Sequence, residues 1–177
     1  LLMDFSGGVD NKRDDYVKLA SSLVKNLHLG PFNAQIAMIR YSGPGRTETI
    51  FHLNKYTNAS AAIEEMKRVP HMGGTTRTGE AITYATGEFD QRYGARKGAK
   101  RLIIIFTDGY SQEDPSDAAL EARKSGIEID AVAVEDDLVP PDMDQLVMIA
   151  NGISNVYMAS KFEKLMSRVM DPLRKCK

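Results

Sequence analysis

The sequence contains few of the features that mark several other classes of protein. Its single cysteine in 177 residues excludes a self-contained disulfide scaffold and any cysteine-rich zinc site. No uninterrupted apolar run exceeds five residues, whereas a membrane-spanning helix needs roughly 20. The 23 basic and 24 acidic residues leave a net charge of −1, so no overall field attracts nucleic acid or an anionic membrane. We therefore expect neither nucleic-acid binding nor direct membrane insertion.

Strand and helix patterns alternate along the chain without internal repeats or a low-complexity linker, which predicts one domain over residues 1–177. The apolar run Leu102–Phe106 is typical of a central parallel strand that is covered on both faces. A short gap separates the strand patterns Ala34–Tyr41 and Thr47–Leu53, and such a gap suits an antiparallel hairpin. The remaining predicted strands are Leu1–Asp4, Ile127–Val134 and Asn155–Met158.

The helical patterns fall between these strands. They cover Arg13–His28, Ser60–Val69, Thr78–Tyr93, Asp114–Ser125, Met143–Ala150 and Phe162–Leu173. This alternation predicts an α/β fold, a three-layer Rossmann-like sandwich. Its middle layer is a mostly parallel six-stranded sheet with one antiparallel edge strand, and helices cover both faces.

Two strands that look buried end in the same kind of residue. Asp4 follows the first strand, and Asp108 follows Leu102–Phe106 after one threonine. In α/β sheets, ligands bind beyond the carboxyl ends of the strands where the strand order reverses, so neighbouring strands would bring both carboxylates to one crevice. The sequence also supplies hydroxyl groups, at Ser6 just after Asp4 and at Thr75, Thr76 and Thr78 in the segment Gly73–Gly79, which opens a helix. Carboxylates with hydroxyls and no sulfur form a hard oxygen site for Mg²⁺ or Mn²⁺. The alternative for each residue alone is a helix cap or a turn.

Three segments carry a resemblance to a known family. They are Asp4–Gly8 (DFSGG), Gly73–Gly79 (GGTTRTG) and Thr107–Gly109 (TDG), and they occur in this order along the chain. In this respect the sequence resembles the von Willebrand factor type A domain family, in its extracellular matrix and adhesion branch. The family carries a metal-ion-dependent adhesion site, in which a partner's carboxylate completes the coordination of a divalent cation.

The resemblance implies a ligand set and a binding rim. The implied metal ligands are Asp4, Ser6, Thr76 and Asp108, and the cation is Mg²⁺ or Mn²⁺. The site is incomplete, because Gly8 stands where the family pattern has a second serine; water would have to replace that hydroxyl. The implied ligand-binding surface is formed by Gly7, Gly8, Arg77, Gly109 and Tyr110.

Features near the ends and in one loop indicate an extracellular fragment. The first strand pattern is short, so we expect its N-terminal part to be missing. Asn58 begins an N-glycosylation acceptor triplet (Asn-Ala-Ser) before a predicted helix. Cys176 either pairs with a cysteine outside the fragment or is a free thiol. We therefore predict a secreted protein or the ectodomain of a membrane protein.

Two further charged segments each allow two interpretations. The basic run 92–101 either binds a sulfated glycosaminoglycan or is a solvated loop at the edge opposite the crevice. Glu135–Asp137 either binds calcium or is an ordinary acidic loop.

The sequence gives no support for catalysis. It has neither a Gly-Lys-Ser/Thr phosphate loop nor a Gly-x-Gly-x-x-Gly turn after the first strand. No serine or cysteine has an evident general base. We therefore predict a protein-binding adhesion module and not an enzyme, and the resemblance implies collagen or another matrix glycoprotein as its partner. The alternative is an intracellular scaffold domain of the same fold that works without metal.

Overall fold

The structure is a computed structural model that describes residues 1–171. Its strands are β1 (Leu2–Asp4), β2 (Met38–Tyr41), β3 (Thr47–Phe51), β4 (Arg101–Phe106), β5 (Ile127–Ala133) and β6 (Val156–Met158). They form one six-stranded sheet in the order β3-β2-β1-β4-β5-β6. The pair β2–β3 is antiparallel, and the other neighbouring pairs are parallel. The predicted sheet with one antiparallel edge strand is confirmed.

Helices cover both faces of this sheet. They are α1 (Arg13–Lys25), α2 (Ala59–Arg68), α3 (Thr78–Glu88), α4 (Ser116–Lys124), α5 (Met143–Ala150) and α6 (Phe162–Met170). Because strand side chains alternate between faces, Phe106 packs in the core with α1, α2 and α6, while its neighbour Ile105 packs with α3, α4 and α5. Both side chains are fully buried. The sandwich therefore has two apolar cores, one on each side of the sheet.

Several element boundaries differ from the sequence prediction. The strand predicted from Ala34 begins at Met38, where its pairing with β3 starts opposite Phe51. The helix that begins at Thr78 ends at Glu88 instead of Tyr93. There the Asp90 carboxylate accepts a hydrogen bond from the Arg92 amide (2.8 Å) and begins a separate short 3-10 turn. The predicted end of the last helix, at Leu173, lies outside the described residues.

Candidate functional site

The crevice lies where β1 and β4 run side by side. Met3 of β1 is opposite Phe106 of β4, so Asp4 and Asp108 leave the same edge of the sheet through neighbouring loops. From β1 the chain builds one half of the sheet through β2 and β3, and from β4 it builds the other half. This is the point of reversed strand order at which α/β sheets bind ligands. The predicted meeting of the two carboxylates therefore has a structural basis.

Backbone hydrogen bonds join the loops that surround the crevice. The Gly7 amide donates to the Gly74 carbonyl (2.9 Å), which links the loop after β1 to the loop before α3. The Gln112 amide donates to the carbonyl of Thr76 (3.0 Å), which links that second loop to the loop after β4. Thr76 is buried in this arrangement. Three loops that are distant in sequence, after β1, before α3 and after β4, are thus held together around the crevice.

Asp4 is fully buried at the base of the crevice. One carboxylate oxygen accepts a hydrogen bond from the Ser6 amide (3.0 Å), and the other accepts one from the Thr107 hydroxyl (2.7 Å). Burial raises the pKa of Asp4 to about 6, and it outweighs the lowering of the pKa by the Ser6 side chain, the Ser6 amide and the Thr107 hydroxyl. The ionised carboxylate is therefore costly unless a positive charge approaches it.

The hydroxyl group of Ser6 provides a test of whether these residues fit a metal ion. Ser6 is 1% exposed, and its Oγ lies close enough to the Asp4 carboxylate to lower the pKa of Asp4, but it forms no well-aligned hydrogen bond with any group in residues 1–171. An unpartnered buried hydroxyl costs free energy. A divalent cation beside two carboxylates would use this oxygen as a ligand, so the donor set fits Mg²⁺ or Mn²⁺.

Asp108 is 5% exposed and faces a residue that the sequence did not indicate. Its Oδ1 accepts a hydrogen bond from the Tyr110 amide (3.3 Å), and its Oδ2 lies 3.8 Å from Nζ of Lys12. Burial raises the pKa of Asp108, while the Tyr110 amide and the Lys12 ammonium group lower it by less. No sequence pattern distinguishes Lys12 from the exposed lysines, because its burial depends on contacts with loops that are distant in sequence.

The acidic loop after β5 contributes to the same region. The Oδ2 atom of Asp136 lies 3.3 Å from the Lys12 ammonium group. Its Oδ1 accepts hydrogen bonds from the amides of Leu138 (2.9 Å) and Val139 (3.1 Å). Within residues 1–171, no group of three or more His, Cys, Asp or Glu side chains could hold a metal ion. Any metal site at the crevice must therefore combine two carboxylates with hydroxyls and water.

The implied rim residues surround the crevice. Gly7 and Gly8 are exposed, and a Cβ atom added at Gly8 would meet no atom within 4 Å. Tyr110 is 47% exposed, and its hydroxyl donates to the Pro140 carbonyl (2.6 Å). The guanidinium group of Arg77 lies 3.2 Å from Glu113, so this arginine already has a carboxylate partner inside the chain.

Features outside the crevice are placed as follows. Asn58 is exposed and caps α2, with its side chain accepting a hydrogen bond from the Ala61 amide (3.1 Å). Cys176 lies outside the residues that the structure describes. The basic run 92–101 ends at the amino end of β4, opposite the crevice. Its Lys100 forms an ion pair with Glu128 at 2.7 Å.

The fold is a three-layer α/β sandwich, and its candidate site is a crevice lined by carboxylates and hydroxyls. The chain belongs to the von Willebrand factor type A domain family, which matches residues 1–171. This membership confirms the resemblance that the three sequence motifs indicated.

Comparison with known proteins places the chain among matrix members of the family. It is 31% identical to the collagen alpha-5(VI) chain of Homo sapiens over 169 residues, which are 93% of this chain and 6% of that protein. It is 34% identical to matrilin-1 of Gallus gallus over 143 residues, which are 77% of this chain and 29% of that protein. The chain thus spans less than a third of either relative.

The solved structures show the same fold. Proximal thread matrix protein 1 from the mussel byssus aligns with a TM-score of 0.78 at 20% identity. In that structure zinc occupies the metal-ion-dependent adhesion site (MIDAS) motif. The alignment covers 98% of this chain and 46% of that chain. Similarity at this level of identity shows the fold alone.

The relatives also bear on localisation. They are structural proteins of the extracellular matrix, which confirms the predicted extracellular localisation and argues against the intracellular alternative. No helix in the described part of the chain is long and apolar enough to cross a membrane.

Proposed function

We propose that the chain is an extracellular protein-binding adhesion module that engages its partner at the crevice beyond β1 and β4. Its site would hold Mg²⁺ or Mn²⁺ through Asp4, Ser6, Thr76 and Asp108, with water in the place of a hydroxyl at Gly8. The observation that carries the proposal is a buried Ser6 hydroxyl without a well-formed hydrogen bond next to the buried Asp4 carboxylate, with the buried Asp108 carboxylate at the same edge of the sheet. The Asp4 carboxylate and the Ser6 hydroxyl are costly as they stand, and a divalent cation would satisfy both of them.

The partner that fits this site presents a carboxylate to the cation. The exposed ring of Tyr110 adds apolar area with a polar end at the rim, which is typical of residues that dominate protein interfaces. Collagen or another matrix glycoprotein supplies such a surface, and the matrix relatives support this class of partner. The proposed role is binding and not catalysis.

We extend the proposal to residues 1–177 as one domain, of which the family matches residues 1–171. We also predict that Asn58 is glycosylated and that Cys176 forms a disulfide with a cysteine outside residues 1–177. The exposure of Asn58 is compatible with a glycan, since its Oδ1 can continue to cap α2 while the glycan occupies its nitrogen.

Calorimetric titration of Mg²⁺ and Mn²⁺ into the purified domain tests the metal site. We expect binding at about 1 mM or below, with the same titration silent for Asp108→Ala, because removal of one of two carboxylates takes away half of the charge that holds the cation. Thermal unfolding in EDTA should show that both proteins are folded. If heat is absent from the folded wild type up to about 10 mM, the site does not bind metal.

Restoring the missing hydroxyl should strengthen the site. Gly8→Ser adds an oxygen ligand at a position where a Cβ atom meets nothing within 4 Å, and we expect Mn²⁺ to bind about tenfold more tightly. Gly8→Ala, which adds the Cβ atom without the oxygen, is the matched control. Equal gains in Gly8→Ser and Gly8→Ala would show that the hydroxyl is not a ligand.

Binding to immobilised collagen tests the partner class. In Mn²⁺ we expect a saturable signal from the wild type that falls at least tenfold in Asp108→Ala, because the cation then no longer links the two proteins. A signal of equal strength in both proteins would place collagen recognition on another surface. A wild type without signal would exclude collagen and direct the search to other matrix glycoproteins.

A further inference from the structure

Lys12 is buried against the crevice, and the proposed metal site makes no use of it. The residue is 3% exposed, which is rare for lysine unless its charge is paired. Its backbone is fixed just before α1, since its amide donates to the Val9 carbonyl (2.8 Å) and its carbonyl accepts from the Tyr16 amide (3.0 Å). The short 3-10 turn Gly7–Val9 therefore delivers the lysine side chain to the crevice.

The ammonium group of Lys12 lies between two carboxylates that differ in how closely they hold it. Asp136 is 3.3 Å away, and its other oxygen is anchored by the amides of Leu138 and Val139. Asp108 is 3.8 Å away, at the outer limit of an ion pair. The ion pair of Lys12 with Asp136 is thus closer than its ion pair with Asp108, and Asp108 is a proposed metal ligand.

We propose that the ammonium group of Lys12 is a tethered monovalent cation that neutralises Asp108 in the metal-free protein and competes with a divalent cation for this carboxylate. The inference rests on the proposed metal site. The competition follows from charge: a divalent cation on Asp108 would be repelled by an ammonium group a few ångströms away, in a region with little water to screen it. Metal binding therefore requires Lys12 to leave Asp108 and to keep Asp136 alone.

The direct test is a calorimetric titration of Mn²⁺ into Lys12→Met, which keeps the length of the side chain and removes its charge. We expect Mn²⁺ to bind at least about tenfold more tightly than to the wild type. Lys18→Met is the matched control, because Lys18 is exposed on α1 and its replacement changes the net charge by the same amount. Lys12→Gln is the second variant in case Lys12→Met fails to fold.

The outcomes separate this inference from the proposed metal site. If the wild type binds Mn²⁺ and neither Lys12 variant binds it more tightly than Lys18→Met, the competition is overturned and the metal site stands. If no variant binds Mn²⁺, including Gly8→Ser, the metal site and the competition are overturned together.

A second measurement, made in EDTA, tests the pairing without any metal. Lys12→Met should lower the thermal midpoint in the wild-type background, because it leaves the Asp108 carboxylate without its cation. The loss should be smaller in an Asp108→Asn background, because the asparagine carries no charge. Equal losses in both backgrounds would overturn the pairing of Lys12 with Asp108.

Discussion

Replacing Gly109 with alanine is expected to destabilise the folded protein by about 3 kcal/mol, through backbone strain and a steric clash acting together. Gly109 follows Asp108 and has a φ of +87°, a conformation that residues with a side chain rarely adopt. A Cβ atom there would lie 2.8 Å from the carbonyl oxygen of Asp142 and 3.1 Å from Leu146. The contact is with backbone, so it cannot be relieved by a side-chain rotation. The loop that carries Asp108 would have to move away from α5.

Urea unfolding measures this effect, and Gly126→Ala is the matched control. Gly126 has a similar φ of +80°, but a Cβ atom there meets nothing within 4 Å. Its replacement should cost only about 1 kcal/mol, the conformational part of the penalty. Equal losses in the two variants would show that the approach of Asp142 to Gly109 does not matter.

Replacing Asp4 with asparagine is expected to stabilise the metal-free protein at pH 7.5 by about 1–2 kcal/mol, which is the cost of ionising the buried carboxyl less one hydrogen bond that the amide nitrogen cannot accept. The carboxyl pKa is about 6 in the folded state against 3.8 for an ordinary aspartate, so at neutral pH the ionised carboxylate costs more free energy in the folded protein than in the unfolded chain. The sign follows from proton binding. Between pH 3.8 and about 6 the folded state holds a proton that the unfolded state lacks, so stability rises as the pH falls through this window. The penalty is fully present above pH 6.

The measurement is the difference in unfolding free energy between the wild type and Asp4→Asn, in EDTA, from pH 7.5 to pH 4. We expect this difference to shrink as the pH falls, because the wild-type carboxyl becomes neutral like the amide. Asp137→Asn, at an exposed aspartate in the loop after β5, should give a difference that changes little with pH. A wild type that is more stable than Asp4→Asn at pH 7.5 would contradict the argument.

The free-energy cost of the buried Asp4 carboxylate would favour metal binding at the proposed site. A residue that destabilises the empty protein and is relieved by a cation makes the metal-bound state more stable relative to the free one. Mn²⁺ should therefore raise the thermal midpoint of the wild type and leave that of Asp4→Asn nearly unchanged.

The sequence by itself determined the fold and the position of the candidate site. The unbroken apolar run Leu102–Phe106 indicated a central strand because such a run suits burial on both faces. The short gap after Tyr41 indicated the antiparallel hairpin because a parallel crossover needs a longer connection. Asp4 and Asp108 could be placed together because parallel strands end at the same edge of a sheet. Each of these inferences depends on a local pattern or on chain connectivity.

The tertiary structure alone decided the electrostatics of the crevice. Lys12 looks like any solvated lysine in the sequence, and its burial between Asp108 and Asp136 depends on three loops that meet only in the folded chain. The pairing of Arg77 with Glu113 has the same origin. Long charged side chains can reach several partners from one backbone position, so their contacts follow from the packing of distant segments and not from local periodicity.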